Sequence, residues 1–149
     1  MKKVILLIIA LSIVFFEALS VANETGAFKV IVHASNPESE LTKKDISKLF
    51  LKKVKKWENS KEAVLPVDLM SDSPVRETFS KAIHGRKVSS IKAYWQKQIF
   101  SGRGVPPEEK KSDEEVLKYV AKNAGAIGYI LESAEINPYE VKVLKIAKE

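Results

Sequence analysis

Residues 71–79, SDSPVRETF, bring hydroxyl side chains and an arginine to a predicted helix start. Ser73 followed by Pro74 predicts that start, because serine is a preferred N-cap residue and proline fits the first helical position. Arg76 then falls in the first turn, where the positive end of the helix dipole disfavours a cation. Two interpretations follow: either Arg76 binds an anion, or it is an exposed charge beside an ordinary helix cap.

The anion interpretation depends on hydrogen-bond donors that converge at such a helix start. The first backbone N–H groups of a helix have no partner within it, and Ser71 and Ser73 would add hydroxyl donors. The guanidinium of Arg76 could hold two oxygens of one anion. From the residues alone, plain capping with an exposed arginine is the favoured interpretation.

Arg103 is a second candidate for binding an anion, because it stands between two glycines in the stretch FSGRGVPP. Glycine lets a backbone move or approach a ligand closely, so this arginine could act as a mobile clamp. The alternative is a tight turn that carries an exposed arginine.

The residues give little support for catalysis or for a bound metal. The chain has no cysteine, and its two histidines, His33 and His84, lack the spacing of metal ligands. No G-x-S-x-G sequence occurs, and the acidic residues lie mainly on predicted polar helix faces. His84 is expected to lie in the last turn of a helix, where a charged histidine would favour the dipole. The sequence therefore predicts a protein that is not an enzyme and uses no metal or cofactor.

The first residues have the layout of a secretory signal peptide. Two lysines precede an apolar run over residues 4–16, and Ser20 and Ala22 are small residues before a predicted cleavage site. An uncleaved N-terminal anchor is the alternative. If the signal peptide is cleaved after Ala22, residues 23–149 form one exported domain, periplasmic or secreted. This domain has no cysteine that could carry a lipid anchor. Its net charge falls only from +6 to +5, because the leader holds Lys2, Lys3 and Glu17. That charge suits an anionic ligand or surface, while export argues against nucleic acid.

Hydrophobic periodicity predicts the order β-α-β-α-α-α-β-β, which is typical of an α/β fold with partly parallel strands. Pro66 lies in the second predicted strand and indicates an edge position or a bend. The predicted strands are residues 28–35, 63–70, a segment after Gly125, and 140–146. The predicted helices are one opened by a capping box at Thr42, residues 74–84, residues 89–100 and one opened by a capping box at Ser112.

Several segments resemble the phosphate-specific substrate-binding proteins of ABC transporters. VIVHASNPESELTKKDISKLFLKKVKKW is similar to their first strand and helix, PVDLMSDSPVRETF to their phosphate loop, and NAGAIGYI to a later strand. The stretch from Trp95 to Pro107 resembles an element of small, single-lobe relatives called PBP-like domain proteins. The resemblance implies a periplasmic-binding-protein-like lobe with a mixed, mostly parallel sheet flanked by helices.

The resemblance also implies which residues would contact phosphate or another small oxyanion. Ser73 takes the place of the family's loop serine, and Arg76 takes a place that is often basic. Pro74 and Val75 stand where glycine and threonine are usual, so an N–H and a hydroxyl are lost. The predicted ligand-binding residues are Ser71, Asp72, Ser73, Val75, Arg76 and Arg103.

Two hypotheses of function follow. The first is an exported phosphate- or oxyanion-binding domain linked to phosphate ABC transport, with a homodimer able to rebuild a two-walled cleft. The second is a ligand-free interaction module of the same fold that docks on a periplasmic or membrane partner. Three differences from the family favour the second hypothesis. Pro74 lacks an N–H group, Val75 lacks a hydroxyl group, and Asp68 replaces the arginine that often precedes the loop.

Overall fold

The structure is a computed structural model that describes residues 26–148; the predicted signal peptide, residues 1–22, lies outside them. The described residues form a six-stranded sheet with the order β2-β6-β1-β5-β3-β4. Three of its strand pairs are parallel (β2 with β6, β3 with β4, β3 with β5), and β1 runs antiparallel to β5 and β6. The strands are β1 (Phe28–His33), β2 (Glu40–Thr42), β3 (Leu65–Leu69), β4 (Glu108–Lys110), β5 (Ala126–Leu131) and β6 (Val141–Ala147).

Residues 26–148 form four α-helices, and three of them begin at a hydroxyl cap. The side chains of Thr42, Ser73 and Ser112 each accept a hydrogen bond from the backbone N–H three residues later, which satisfies a donor that the helix itself leaves free. The helices are α1 (Lys43–Phe50), α2 (Pro74–Phe79), which continues as a π-helical turn (Ser80–His84), α3 (Val88–Phe100) and α4 (Asp113–Lys122).

The mixed, mostly parallel α/β architecture predicted from the resemblance is confirmed. Two short strands, β2 and β4, were not predicted, because three residues are too few to show periodicity. The edge position expected from Pro66 is wrong, because β3 lies between β5 and β4. Pro66 pairs with Ile127 of β5, whereas β4 pairs only from Val67 onward, so proline is accommodated where one side of β3 has no ladder.

The core lies on both faces of the sheet, and β5 shows how. Tyr129 is fully buried on one face, where its ring stacks on Phe79 of α2 at 3.8 Å between centroids. Gly128 points to the opposite face, because side chains alternate along a strand. A Cβ on Gly128 would come within 2.7 Å of Val116 in α4 and 2.9 Å of Val67 in β3. The helix therefore packs directly on the glycine backbone.

Among residues 26–148, no helix combines the length and the apolar character needed to cross a bilayer.

Gly128→Ala should destabilise the protein by about 1–3 kcal/mol, because the new methyl group overpacks the contact between β5 and α4. The free energy of unfolding, followed by tryptophan fluorescence in a denaturant titration, measures this. Gly104→Ala is the matched control, since nothing lies within 4 Å of a Cβ at that position. Equal unfolding free energies for the two variants would contradict the close packing of α4.

Candidate functional site

The predicted loop lies between the end of β3 and the start of α2. Ser71 and Asp72 are exposed, whereas the side chain of Val75 is buried in the core. Ser73 caps α2 through a 3.4 Å hydrogen bond that its Oγ accepts from the backbone N–H of Arg76. The backbone N–H groups of Ser71, Asp72 and Val75 have no partner among the described residues. The loop therefore holds an exposed Ser71 hydroxyl and three backbone N–H groups without a described partner.

Arg76 is only 4% exposed and is engaged within the protein. Its Nη1 donates to the carbonyl oxygen of Leu69 at 2.7 Å and to Oε1 of Glu109 at 2.7 Å. Its Nη2 lies 3.6 Å from Oδ2 of Asp68. The expectation of an exposed arginine is therefore wrong. The same contacts leave the guanidinium little capacity to hold an anion directly.

Asp68 and Tyr129 complete what we call the Arg76 network, which consists of Arg76, Asp68, Glu109 and Tyr129. The Tyr129 hydroxyl donates to Oδ1 of Asp68 at 2.7 Å and accepts from the Leu69 N–H at 3.2 Å. Burial raises the pKa of Asp68, against the effects of the Arg76 charge and the tyrosine hydrogen bond. Burial and the Asp68 charge likewise raise the pKa of Tyr129. The network thus joins β3, α2, β4 and β5: Arg76, Asp68 and Tyr129 are buried, whereas Glu109 is exposed.

Arg103 lies apart from this network. It is exposed, and its backbone N–H donates to the carbonyl of Gln98 at 2.9 Å, just after α3. Its side chain lines an open cavity of about 380 Å³ together with Lys52, Lys53 and Lys55. None of the predicted binding residues between Ser71 and Arg76 lines that cavity. The structure therefore does not bring Arg103 to the loop in one site.

The two histidines make local contacts instead of forming a metal site. Nδ1 of His33 lies 2.7 Å from Ser35 Oγ, and Nδ1 of His84 lies 2.8 Å from Ser47 Oγ. Burial, assisted by nearby arginines, lowers the pKa of His84 from 6.5 to about 4. His84 is therefore neutral at pH 7, and its predicted role as a cation at a helix end is wrong. No group of three metal-ligating residues occurs in the part of the chain that the structure describes.

The profile of a family described as the PBP superfamily domain matches residues 22–148. The chain belongs to the PBP superfamily. The resemblance of the PBP domain to phosphate-specific binding proteins is thereby confirmed at the level of fold and family. No curated protein sequence matches the chain.

Solved structures show the same fold for this PBP domain. A candidate phosphate ABC transporter substrate-binding protein with bound phosphate from Clostridium perfringens is 20% identical, with a TM-score of 0.63 over 80% of this chain and 44% of its own. An ABC-type phosphate transport receptor from Vibrio cholerae is 18% identical, with a TM-score of 0.63 over 83% and 47%. PstS from Borrelia burgdorferi is 13% identical, with a TM-score of 0.62 over 80% and 47%. The PBP domain thus spans less than half the length of these proteins and matches a single lobe.

Arg76→Met should cost about 3–5 kcal/mol of stability, because it leaves the buried Asp68 carboxyl without its cation. Asp68→Asn should lower the free energy of unfolding less in the Arg76→Met background than in the wild type. Denaturant titrations of the wild type, the two single variants and the double variant should give a coupling energy of about 1–3 kcal/mol. The exposed pair of Glu114 and Lys118 is the matched control. The coupling energy from its double-mutant cycle should be much smaller, because both side chains are exposed to solvent. Additive effects for Arg76 and Asp68 would contradict the network.

Stability should fall as the pH drops from about 6.5 to 4, because the unfolded chain protonates His84 more readily than the folded domain does. The contribution of His84 is up to about 3 kcal/mol by the linkage relation. His84→Asn keeps a polar atom near Nδ1 but does not titrate, so its unfolding free energy should fall less across this window. Identical pH profiles for the two proteins would contradict a buried neutral histidine.

Proposed function

We propose that the protein is an exported, non-enzymatic binding domain that holds phosphate, or another small protonated oxyanion, at residues 71–76 as part of phosphate ABC transport. The PBP fold supports this proposal, as does its similarity to phosphate transport receptors, one of which carries bound phosphate. These likenesses support the proposed class of function, and the donors of the loop support residues 71–76 as the proposed site.

One observation carries the proposal: the loop offers unused donors at the start of α2. The N–H groups of Ser71, Asp72 and Val75 have no partner among the described residues, and the Ser71 hydroxyl is exposed. Because N–H groups at a helix start point outward at the positive end of its dipole, they suit an anion. The loop thus retains donors although Pro74 contributes none.

The charges around the loop decide which oxyanion fits. Arg76 is balanced by Asp68 and Glu109, and Asp72 adds an exposed carboxylate. An ionised carboxylate only accepts hydrogen bonds, so it repels an anion without a proton. Phosphate still carries a proton at neutral pH and can donate it to a carboxylate, whereas sulfate cannot. We therefore expect phosphate to bind in preference to sulfate.

Affinity should be modest, because one lobe gives a ligand only one wall. Binding sites bury most of a ligand's surface, and two-lobed proteins achieve this by closing around it. A homodimer that faces two loops together would supply the second wall. We place the dissociation constant of a single domain in the range of about 1 mM, which corresponds to roughly 4 kcal/mol of binding.

A second candidate function is the ligand-free interaction module, which docks on a periplasmic or membrane partner. The engagement of Arg76 by Leu69, Asp68 and Glu109 favours it specifically, because the cation that would hold an anion is already bound. In this case the loop keeps the fold of its relatives but no longer binds their ligand.

Titration of residues 23–149 with phosphate and sulfate, followed by amide chemical shifts, tests the proposal. Phosphate should shift residues 71–76 at millimolar concentration and bind about tenfold more tightly than sulfate. Ser71→Ala should weaken it by about tenfold, because a hydrogen bond to a charged group contributes about 1.5 kcal/mol or more. Ser89→Ala, an exposed serine on α3, is the control.

The outcomes separate the two candidates. If saturating phosphate leaves the amides of residues 71–76 unchanged, the oxyanion site is refuted and the interaction module remains. If phosphate and sulfate bind equally, selection by the carboxylates is wrong. A partner captured from the cell envelope without any effect of phosphate or of Ser71→Ala would support the interaction module.

A further inference from the structure

Lysine, arginine and exposed apolar side chains are concentrated in two segments that line or adjoin one open cavity. The first is residues 51–55, which follow α1, and the second is residues 99–105, from the end of α3 into the glycine-flanked loop. We call this surface the basic rim. Its cations are Lys52, Lys53, Lys55 and Arg103, and its exposed apolar residues are Val54, Ile99, Phe100 and Val105.

Direct contacts make the basic rim one surface although its segments lie far apart in sequence. Lys52 Nζ donates to the carbonyl of Pro106, the residue directly after the second segment, at 3.2 Å. All four cations and Val105 line the same open cavity of about 380 Å³. Lys53 and Leu51 also line a neighbouring cavity of about 610 Å³, with Lys43 and Lys44 on its wall.

The cations of the basic rim are not neutralised by the rest of the domain. No described carboxylate lies within ion-pair distance of Lys52, Lys53, Lys55 or Arg103, and neither segment contains an acidic residue. Such a surface attracts an anionic partner.

Four exposed apolar side chains belong to these segments: Val105 lines the cavity with the cations, whereas Val54, Ile99 and Phe100 lie within two residues of cavity-lining residues in sequence. Phe100 is 91% exposed, Val105 63% and Ile99 52%, and Val54 is 39% exposed. Only three other large apolar residues in the described part of the chain are exposed, namely Leu65, Met70 and Val143. Single exposed apolar residues are ordinary, whereas a group of them beside cations marks an interaction surface.

We infer that the basic rim docks the domain on an anionic lipid bilayer. A bilayer surface offers anionic headgroups above an apolar layer, and the rim offers the complement: cations on long stems and protruding Phe100 and Val105. A small anion alone would leave the apolar residues in water. The inference does not depend on phosphate binding at residues 71–76, because Arg103 and its cavity lie apart from that loop.

The geometry indicates how the docked domain would be held. Phe100 and Val105 would enter the boundary between headgroups and acyl chains, because their apolar surface is then removed from water. The lysines and Arg103 would contact lipid phosphates, to which arginine can donate two parallel hydrogen bonds. Neither contact requires a change of fold, since these side chains are already exposed or line an open cavity.

Co-sedimentation of residues 23–149 with vesicles tests the inference; this segment contains the whole described fold and omits the apolar leader. The protein should bind phosphatidylglycerol–phosphatidylcholine vesicles and not phosphatidylcholine vesicles. The variant Lys53→Ala/Lys55→Ala/Arg103→Ala should bind about 100-fold more weakly, at roughly fivefold for each basic residue near the surface. Phe100→Ser should weaken binding by about tenfold at unchanged net charge.

The matched control removes the same charge elsewhere, through Lys111→Ala/Lys118→Ala/Lys145→Ala, all exposed. It should retain binding within about threefold, because these charges lie outside the rim. Absence of binding to anionic vesicles at low salt would overturn the inference, as would equal losses in the two triple variants. The inference would also be overturned if Phe100→Ser bound the vesicles as tightly as the wild type does and both proteins bound soluble polyglutamate equally well. That result would favour an acidic protein partner. Thermal unfolding of each variant verifies that it is folded.

Discussion

The ion pair between Arg76 and Asp68 is the constraint on which the loop and its surroundings depend. Both side chains are buried, and a buried charge persists in a fold only when an opposite charge and hydrogen bonds compensate its loss of water. The compensation comes from β3, α2, β4 and β5, so these four elements must be in place together. Asp68 and Leu69 end the strand, and Arg76 returns to them from the first turn of α2. The loop between them is therefore held at both ends, which fixes where its hydroxyl and N–H groups point.

The same pairing sets the electrostatic character of the proposed oxyanion site. An arginine at a helix start would ordinarily make the loop a strongly positive site, but here two carboxylates balance it. Specificity at the proposed site would then arise from hydrogen bonds, and an anion would have to carry its own proton. The basic rim, by contrast, holds cations without a described ion-pair partner, namely Lys53, Lys55 and Arg103. In the functions proposed above, local selectivity and long-range attraction would therefore belong to different surfaces of one small domain.

The sequence was sufficient for the architecture and insufficient for the site. Helix caps at Thr42, Ser73 and Ser112 are local signals, and each one forms its expected hydrogen bond. The burial of Arg76 was not visible, because its partner Glu109 lies 33 residues away on a three-residue strand without periodicity. One signal was present: Asp68 stands between Val67 and Leu69 in an apolar strand, and a carboxylate in such a place requires a partner. The separation of Arg103 from the loop was equally hidden, since it depends on how α3 packs, which local patterns do not specify.

The two borders of the sheet have a consequence for self-association. Both outermost strands, β2 and β4, are only three residues long, and β4 consists entirely of charged residues, Glu108, Glu109 and Lys110. An exposed border can template the addition of another chain, and short charged strands are among the means by which proteins prevent this. Copies of the domain are therefore discouraged from joining border to border into a continuous sheet. A pair of domains that enclosed a ligand would have to meet through helices and loops, which leaves each sheet intact and the association reversible.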